Sequence, residues 1–118
     1  MLYTNLTHLE TAEDLERVVL SEENLLVVCG NMGTNCVPVY RIAESLEPEY
    51  RDVKFCDMEF DNPESAVLRN LPETPEFLRV PLLVFFRKGR LCKVTAGNQS
   101  VEQIAANLNE LFLKTEKI

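Results

Sequence analysis

Residues 25–40 read LLVVCGNMGTNCVPVY and contain three successive structural signals. Residues 25–29 form a short, continuously apolar run, which is typical of a strand buried on both faces of a sheet. A polar loop with two glycines, Gly30 and Gly33, follows this run. The apolar stripe that begins at Val39 then predicts an amphipathic helix.

The start of that helix places a cysteine in a special position. Pro38 suits the first helical turn, where its missing N–H costs nothing, and either Thr34 or Asn35 can cap the helix. Cys36 therefore lies at the helix N-terminus. Unpaired N–H groups and the helix dipole stabilise a thiolate there, so Cys36 is a candidate low-pKa thiol.

The flanking sequence predicts further elements on both sides. Capping patterns at Thr11 and Ser100 and a proline after Asn62 mark three more helix starts, and Lys88 with Gly89 marks a hairpin turn. The resulting order is β-α-β-α-β-α-β-β-α, which implies a mixed sheet with helices on both faces. The predicted strands are residues 2–6, 25–29, 53–58, 80–86 and 90–96.

Length and charge restrict the function. The 118 residues suit a single domain spanning residues 1–118, and the net charge of −7 disfavours binding to nucleic acid or to an anionic membrane. We see no signal peptide and no membrane-spanning run, so we expect a cytoplasmic protein with reduced thiols. The four cysteines lack the short spacings of zinc sites, so we expect neither a metal nor another cofactor.

These features together resemble the thioredoxin family over nearly the whole chain. The resemblance rests on the element order, on Cys36 at the start of the second helix, on Val80 and Pro81 before a buried hairpin, and on Gly97 after the last strand. It implies a thioredoxin-like α/β fold. It also implies a cis-proline at Pro81, with a backbone at Val80 that pairs with an extended peptide beside the Cys36 loop.

The chain departs from the family where the family does its chemistry. The family's Cys-x-x-Cys motif would lie over residues 33–36, so Gly33 replaces the attacking cysteine and only Cys36 remains. The chain has no tryptophan, and the family's buried aspartate would lie at Val27. An ordinary thioredoxin mechanism is therefore not available.

Three hypotheses for function remain open. Cys29 and Cys36, spaced C-x6-C, could replace the usual motif as catalytic residues of a thiol–disulfide exchange protein, if the loop between them folds back. Its partners would be a protein thiol or disulfide, bound through Val80, Pro81, Thr34 and Asn35, and a donor similar to thioredoxin reductase. Alternatively, Cys36 alone forms mixed disulfides, or the chain is a non-catalytic protein-binding module that docks through residues 30–35 and 71–80.

The remaining candidates favour structural roles. Cys56 and Cys92 fall within predicted strands and are expected to be buried packing residues. His8, the one histidine, is expected at the surface and not as a base. Phe77 and Leu78 precede Val80 and could either join the core or extend an apolar docking rim.

Overall fold

The computed structural model describes residues 2–74 and 79–113, and its described strands form one five-stranded sheet. The strands are β1 (Thr7–Leu9), β2 (Asn24–Gly30), β3 (Lys54–Glu59), β4 (Leu82–Arg87) and β5 (Arg90–Ala96). Their order across the sheet is β1-β3-β2-β4-β5. The first three run parallel, while β4 and β5 are antiparallel to their neighbours. The mixed sheet and its central β2 are confirmed.

The helices cover both faces of this sheet, as predicted. They are α1 (Ala12–Ser21), α2 (Val37–Leu46), α3 (Ala66–Arg69) and α4 (Val101–Leu108), with a π-helical extension at Asn109–Leu113. The element order β-α-β-α-β-α-β-β-α is therefore confirmed. None of the helices in the described segments is long and apolar enough to cross a membrane.

Two separate cores result from the alternation of side chains along β2. We call the layer under α2 and α4 the α2 core; it takes Leu26 and Val28 from β2. We call the layer under α1 and α3 the α1 core; it takes Leu25 and Val27 from the same strand. Each of these β2 side chains therefore enters one core only and cannot contact residues of the other.

The predicted capping boxes and hairpin are present. Thr11 with Asp14 and Ser100 with Gln103 make both reciprocal hydrogen bonds of the capping box. Lys88 and Gly89 both have positive φ, 52° and 81°, as a two-residue hairpin turn between β4 and β5 requires.

Two local predictions at the N-terminal half are wrong. Residues 2–6 are not a strand, because Leu2 and Leu6 turn into the α2 core and the Asn5 N–H donates to Glu44 on α2. The first strand is instead β1. Helix α2 is not capped by Thr34 or Asn35; its N-cap is Cys36, which makes no side-chain capping bond.

One cysteine prediction is confirmed and one is wrong. Cys56 is fully buried in the α1 core. Cys92 is exposed, because β5 is the outer strand of the sheet and Cys92 falls at a register shift, where it pairs with no residue of β4. Position within an apolar strand therefore did not guarantee burial at the sheet edge.

Candidate functional site

Cys36 lies where β2, the 30–35 loop and α2 meet. Its side chain is fully buried, and the Asn31 backbone N–H lies 3.4 Å from Sγ in hydrogen-bonding geometry. Burial raises the pKa of the Cys36 thiol, and the Asn31 N–H acts in the opposite direction. The helix-start position predicted from the sequence is thus correct, while burial opposes the low pKa expected there.

Gly30 allows the surrounding groups to approach closely. A Cβ atom added at Gly30 would lie 3.0 Å from Cys36 Sγ, 3.0 Å from Pro81 Cβ and 3.2 Å from the Tyr40 hydroxyl oxygen. The bond between Val80 and Pro81 is cis. Pro81 and Cys36 therefore both pack against Gly30.

The other residues predicted to bind a partner differ in exposure. Thr34 and Asn35 are exposed on the loop, and Val80 is half-buried. Val80 precedes β4, and its backbone N–H and C=O make no hydrogen bond to another described residue. Phe77 and Leu78 lie outside the described residues.

Cys29 does not share this site. It belongs to the α1 core, whereas Cys36 belongs to the α2 core, and both are fully buried. Burial raises the pKa of Cys29 to about 12. All four cysteines are free. The structure therefore does not bring the two sulfurs of the C-x6-C pair together.

Strand pairing on both sides of β2 holds Cys29 in this orientation. It pairs with Met58 on β3 and with Leu82 on β4. A rotation of its side chain to the other face would break pairing on both sides of β2. The two glycines of the 30–35 loop lie beyond this point and do not relieve the constraint.

A second polar cluster was not predicted from the sequence. Asp57 on β3 is fully buried and accepts hydrogen bonds from the Thr4 hydroxyl and from His8 Nδ1, the latter at 2.6 Å. Burial is the main cause that raises the pKa of Asp57, and both hydrogen bonds act against it. His8 is indeed at the surface, with 45% of its side chain exposed. The signal that could have found this cluster is the lone acid in the apolar run 53–58.

Beside this cluster lies a cavity of about 510 Å³ at the carboxyl ends of β1 and β3. His8 and Asp57 line it together with Leu2, Leu9 and Glu59. Crevices at the carboxyl ends of parallel strands are common ligand sites in α/β proteins.

Comparison with solved structures identifies the architecture. The chain is similar to mitochondrial thioredoxin 3 from Saccharomyces cerevisiae, with a TM-score of 0.73, 17% identity, and coverage of 90% of this chain and 95% of that one. It is also similar to thioredoxin from Trypanosoma brucei brucei, with a TM-score of 0.74, 18% identity and 95% of both chains covered. A third match, thioredoxin f2 from Chlamydomonas reinhardtii, has a TM-score of 0.74, 15% identity, and coverage of 90% and 95%.

These matches define the class of fold. The chain has the thioredoxin fold, as its sequence implied. No model of a known protein family matches the chain, and no curated protein sequence does.

Proposed function

We propose that this thioredoxin-fold protein docks an extended segment of a partner protein and does not exchange disulfides through Cys29 and Cys36. The observation that carries this proposal is the placement of the two thiols in separate cores. A disulfide requires Cα atoms about 4.4–6.8 Å apart and Cβ vectors that point toward each other. Cys29 points from β2 into the α1 core, while Cys36 points from the start of α2 into the α2 core, so the two side chains do not meet this second condition.

The docking surface consists of Thr34 and Asn35 on one side and Val80 on the other. The backbone N–H and C=O of Val80 have no partner among the described residues, so an extended peptide can pair with them as an added strand. The half-buried side chains of Met32 and Val80 supply apolar contact beside these polar groups.

The exchange hypothesis is the second candidate. It requires Cys29 to leave its ladder positions opposite Met58 and Leu82 before its sulfur can approach Cys36. A donor similar to thioredoxin reductase belongs to this hypothesis alone. The cytoplasm is the proposed setting for either function.

Intact mass separates the two functions. The protein is mildly oxidised, denatured and alkylated, with and without prior reductant. We expect no disulfide between Cys29 and Cys36, so both residues are alkylated in each sample. A species that, without prior reductant, carries no alkyl group on Cys29 or Cys36 and has them joined by a disulfide would overturn the proposal in favour of exchange.

Binding is tested with a displayed library of random peptides. Peptides that the wild-type chain selects are then measured against Thr34→Arg and against Thr7→Arg, a matched change at an exposed position on β1. We expect at least about tenfold weaker binding only for Thr34→Arg, which corresponds to about 1.4 kcal/mol. Equal binding by the two variants, or no selected peptide, contradicts docking at this surface.

A further inference from the structure

Tyr40 carries a buried hydroxyl that no other described residue satisfies. The residue is fully buried on α2, and its O–H has no acceptor in the described parts of the chain. Burial of a hydroxyl without a partner is unfavourable, and a phenylalanine would fill the same space without this cost. By contrast, the hydroxyl of Tyr50 donates to Asn109 at 2.9 Å.

The Tyr40 hydroxyl and the sulfur of Cys36 both lie close to Gly30. Tyr40 follows Cys36 by four residues, one helical turn, so the two side chains lie on the same side of α2. Both the sulfur and the hydroxyl oxygen approach the same point at Gly30, at 3.0 Å and 3.2 Å from the position a Cβ atom would take. The unsatisfied donor therefore shares a neighbour, Gly30, with a group that becomes a strong acceptor when it ionises, and the two make no hydrogen bond while Cys36 is a thiol.

We propose that Cys36 acts as a single reactive thiol and that Tyr40 positions its ionised sulfur. The Tyr40 O–H donates to the thiolate, next to the Asn31 N–H that already contacts the sulfur. This inference goes beyond the docking function and needs neither Cys29 nor a bound partner. Tyr40 is a positioning residue, because it acts through Cys36 and does not touch the substrate.

The protonation states support this pairing. Burial raises the pKa of Tyr40, so its hydroxyl keeps its proton and can act as a donor. Burial also raises the pKa of Cys36, and the hydrogen bond from the Asn31 N–H lowers it. A second donor favours the ionised form further, since hydrogen bonds to a charged group are stronger than bonds to a neutral one.

The chemistry of a single thiol is formation of a mixed disulfide. The Cys36 thiolate attacks one sulfur of a small-molecule or peptide disulfide, and a new S–S bond forms as the substrate's S–S bond breaks. The other half of the substrate leaves as a thiolate and takes a proton from water. Cys29 and Cys56 lie in the α1 core and Cys92 lies on β5, so the product persists until an external thiol reduces it.

The test is the pH dependence of this reaction with 4,4′-dithiodipyridine as the disulfide. Cys92→Ser serves as the background, because it removes the exposed thiol, and mass spectrometry locates the adduct. We expect the adduct on Cys36. We also expect Tyr40→Phe to raise the pH of half-maximal rate by about one unit, a tenfold change in the ionisation constant.

Tyr50→Phe is the matched control and should leave the pH profile unchanged, because its hydroxyl bonds to Asn109 and not near the sulfur. The same pH profile for Tyr40→Phe and wild type would overturn the role of Tyr40. An adduct confined to residues other than Cys36 would overturn the reactive thiol. Neither result bears on docking, which the peptide measurements test with no thiol reagent.

A purely structural role for Tyr40 predicts a different pattern. If the hydroxyl only supported packing, Tyr40→Phe would change urea stability equally at every pH. We expect Tyr40→Phe to match or exceed wild-type stability while Cys36 is a thiol, and to lose that advantage as the pH rises through the ionisation of Cys36. A uniform loss of stability across this range contradicts the proposal.

Discussion

Replacement of Gly30 by alanine tests how tightly the site is assembled. Gly30 is buried at the end of β2, and a Cβ atom there would lie 3.0 Å from both Cys36 Sγ and Pro81 Cβ. Two carbon atoms prefer a separation of about 3.5–4.0 Å, so the neighbours must move by about 0.5–1 Å. Pro81 resists this movement, because its ring is rigid and its carbonyl accepts a hydrogen bond from the Gly97 N–H at 2.9 Å.

The expected loss of stability follows from two opposing effects. Overpacking of a filled core costs about 1–3 kcal/mol. Alanine also restricts the unfolded chain more than glycine does, which stabilises the folded state by about 0.4–1 kcal/mol. The middle of the two ranges gives an expected loss of about 1.3 kcal/mol in the free energy of unfolding for Gly30→Ala. Urea denaturation followed by far-ultraviolet circular dichroism measures this, because the chain has no tryptophan for fluorescence.

Gly33→Ala is the matched control from the same loop. Gly33 is exposed, and the nearest atom to an added Cβ would be the flexible side-chain oxygen of Asn31 at 2.9 Å. That oxygen can turn away at the loss of the exposed hydrogen bond that it accepts from the Gly33 N–H at 2.8 Å, so we expect a change of no more than about 1 kcal/mol. Our account of the close packing fails if Gly30→Ala is as stable as wild type, or if Gly33→Ala is the more damaging change.

Three further substitutions test other parts of the structure. Burial raises the pKa of Asp57, so wild-type stability is lost as the pH rises from about 4 through that raised pKa. The stability of Asp57→Asn relative to wild type should therefore increase over this pH range. Urea unfolding at several pH values measures the difference. A difference that does not change with pH would show that burial does not penalise the carboxylate. Ser100→Ala removes the cap of α4 and should lower the free energy of unfolding by about 1 kcal/mol. An unchanged melting temperature would contradict a stabilising role of the capping box. Ser65→Ala removes a buried bond of 2.6 Å to the Glu59 carbonyl and should cost about 1–3 kcal/mol; a neutral result in urea denaturation would show that the bond contributes nothing.

The order of elements was accessible from the sequence because each element carries its own local signal. The capping boxes at Thr11 and Ser100 involve residues three positions apart, and the turn at Lys88 and Gly89 involves neighbours. Residues 2–6 were misassigned for the opposite reason. Leu2 and Leu6 are buried against α2 without forming a strand. A local pattern of apolar residues does not distinguish this arrangement from a strand.

The relation between Cys29 and Cys36 could not be predicted, because it depends on the direction of a side chain. A strand buried on one face shows its orientation by alternating polar and apolar residues. Residues 25–29 are apolar throughout, since β2 is covered on both faces, so the run does not reveal which residues point toward α2. The spacing of six residues contains no information on that point.

The Asp57 cluster and the Tyr40 hydroxyl depend on distant parts of the chain. Asp57 takes its hydrogen bonds from Thr4 and His8, about fifty residues away in sequence. The isolation of the Tyr40 hydroxyl is visible only once Gly30 is packed against α2. Such non-local contacts leave no periodic signal in the sequence.

The open position at Gly33 has an evolutionary consequence. A single base change converts a GGU codon for glycine to the UGU codon for cysteine. The backbone there accommodates a side chain, and little surrounds it beyond the end of Asn31. One point mutation would thus place a second thiol three residues before Cys36, so a lineage that carries this chain can gain or lose a Cys-x-x-Cys spacing without rebuilding the scaffold.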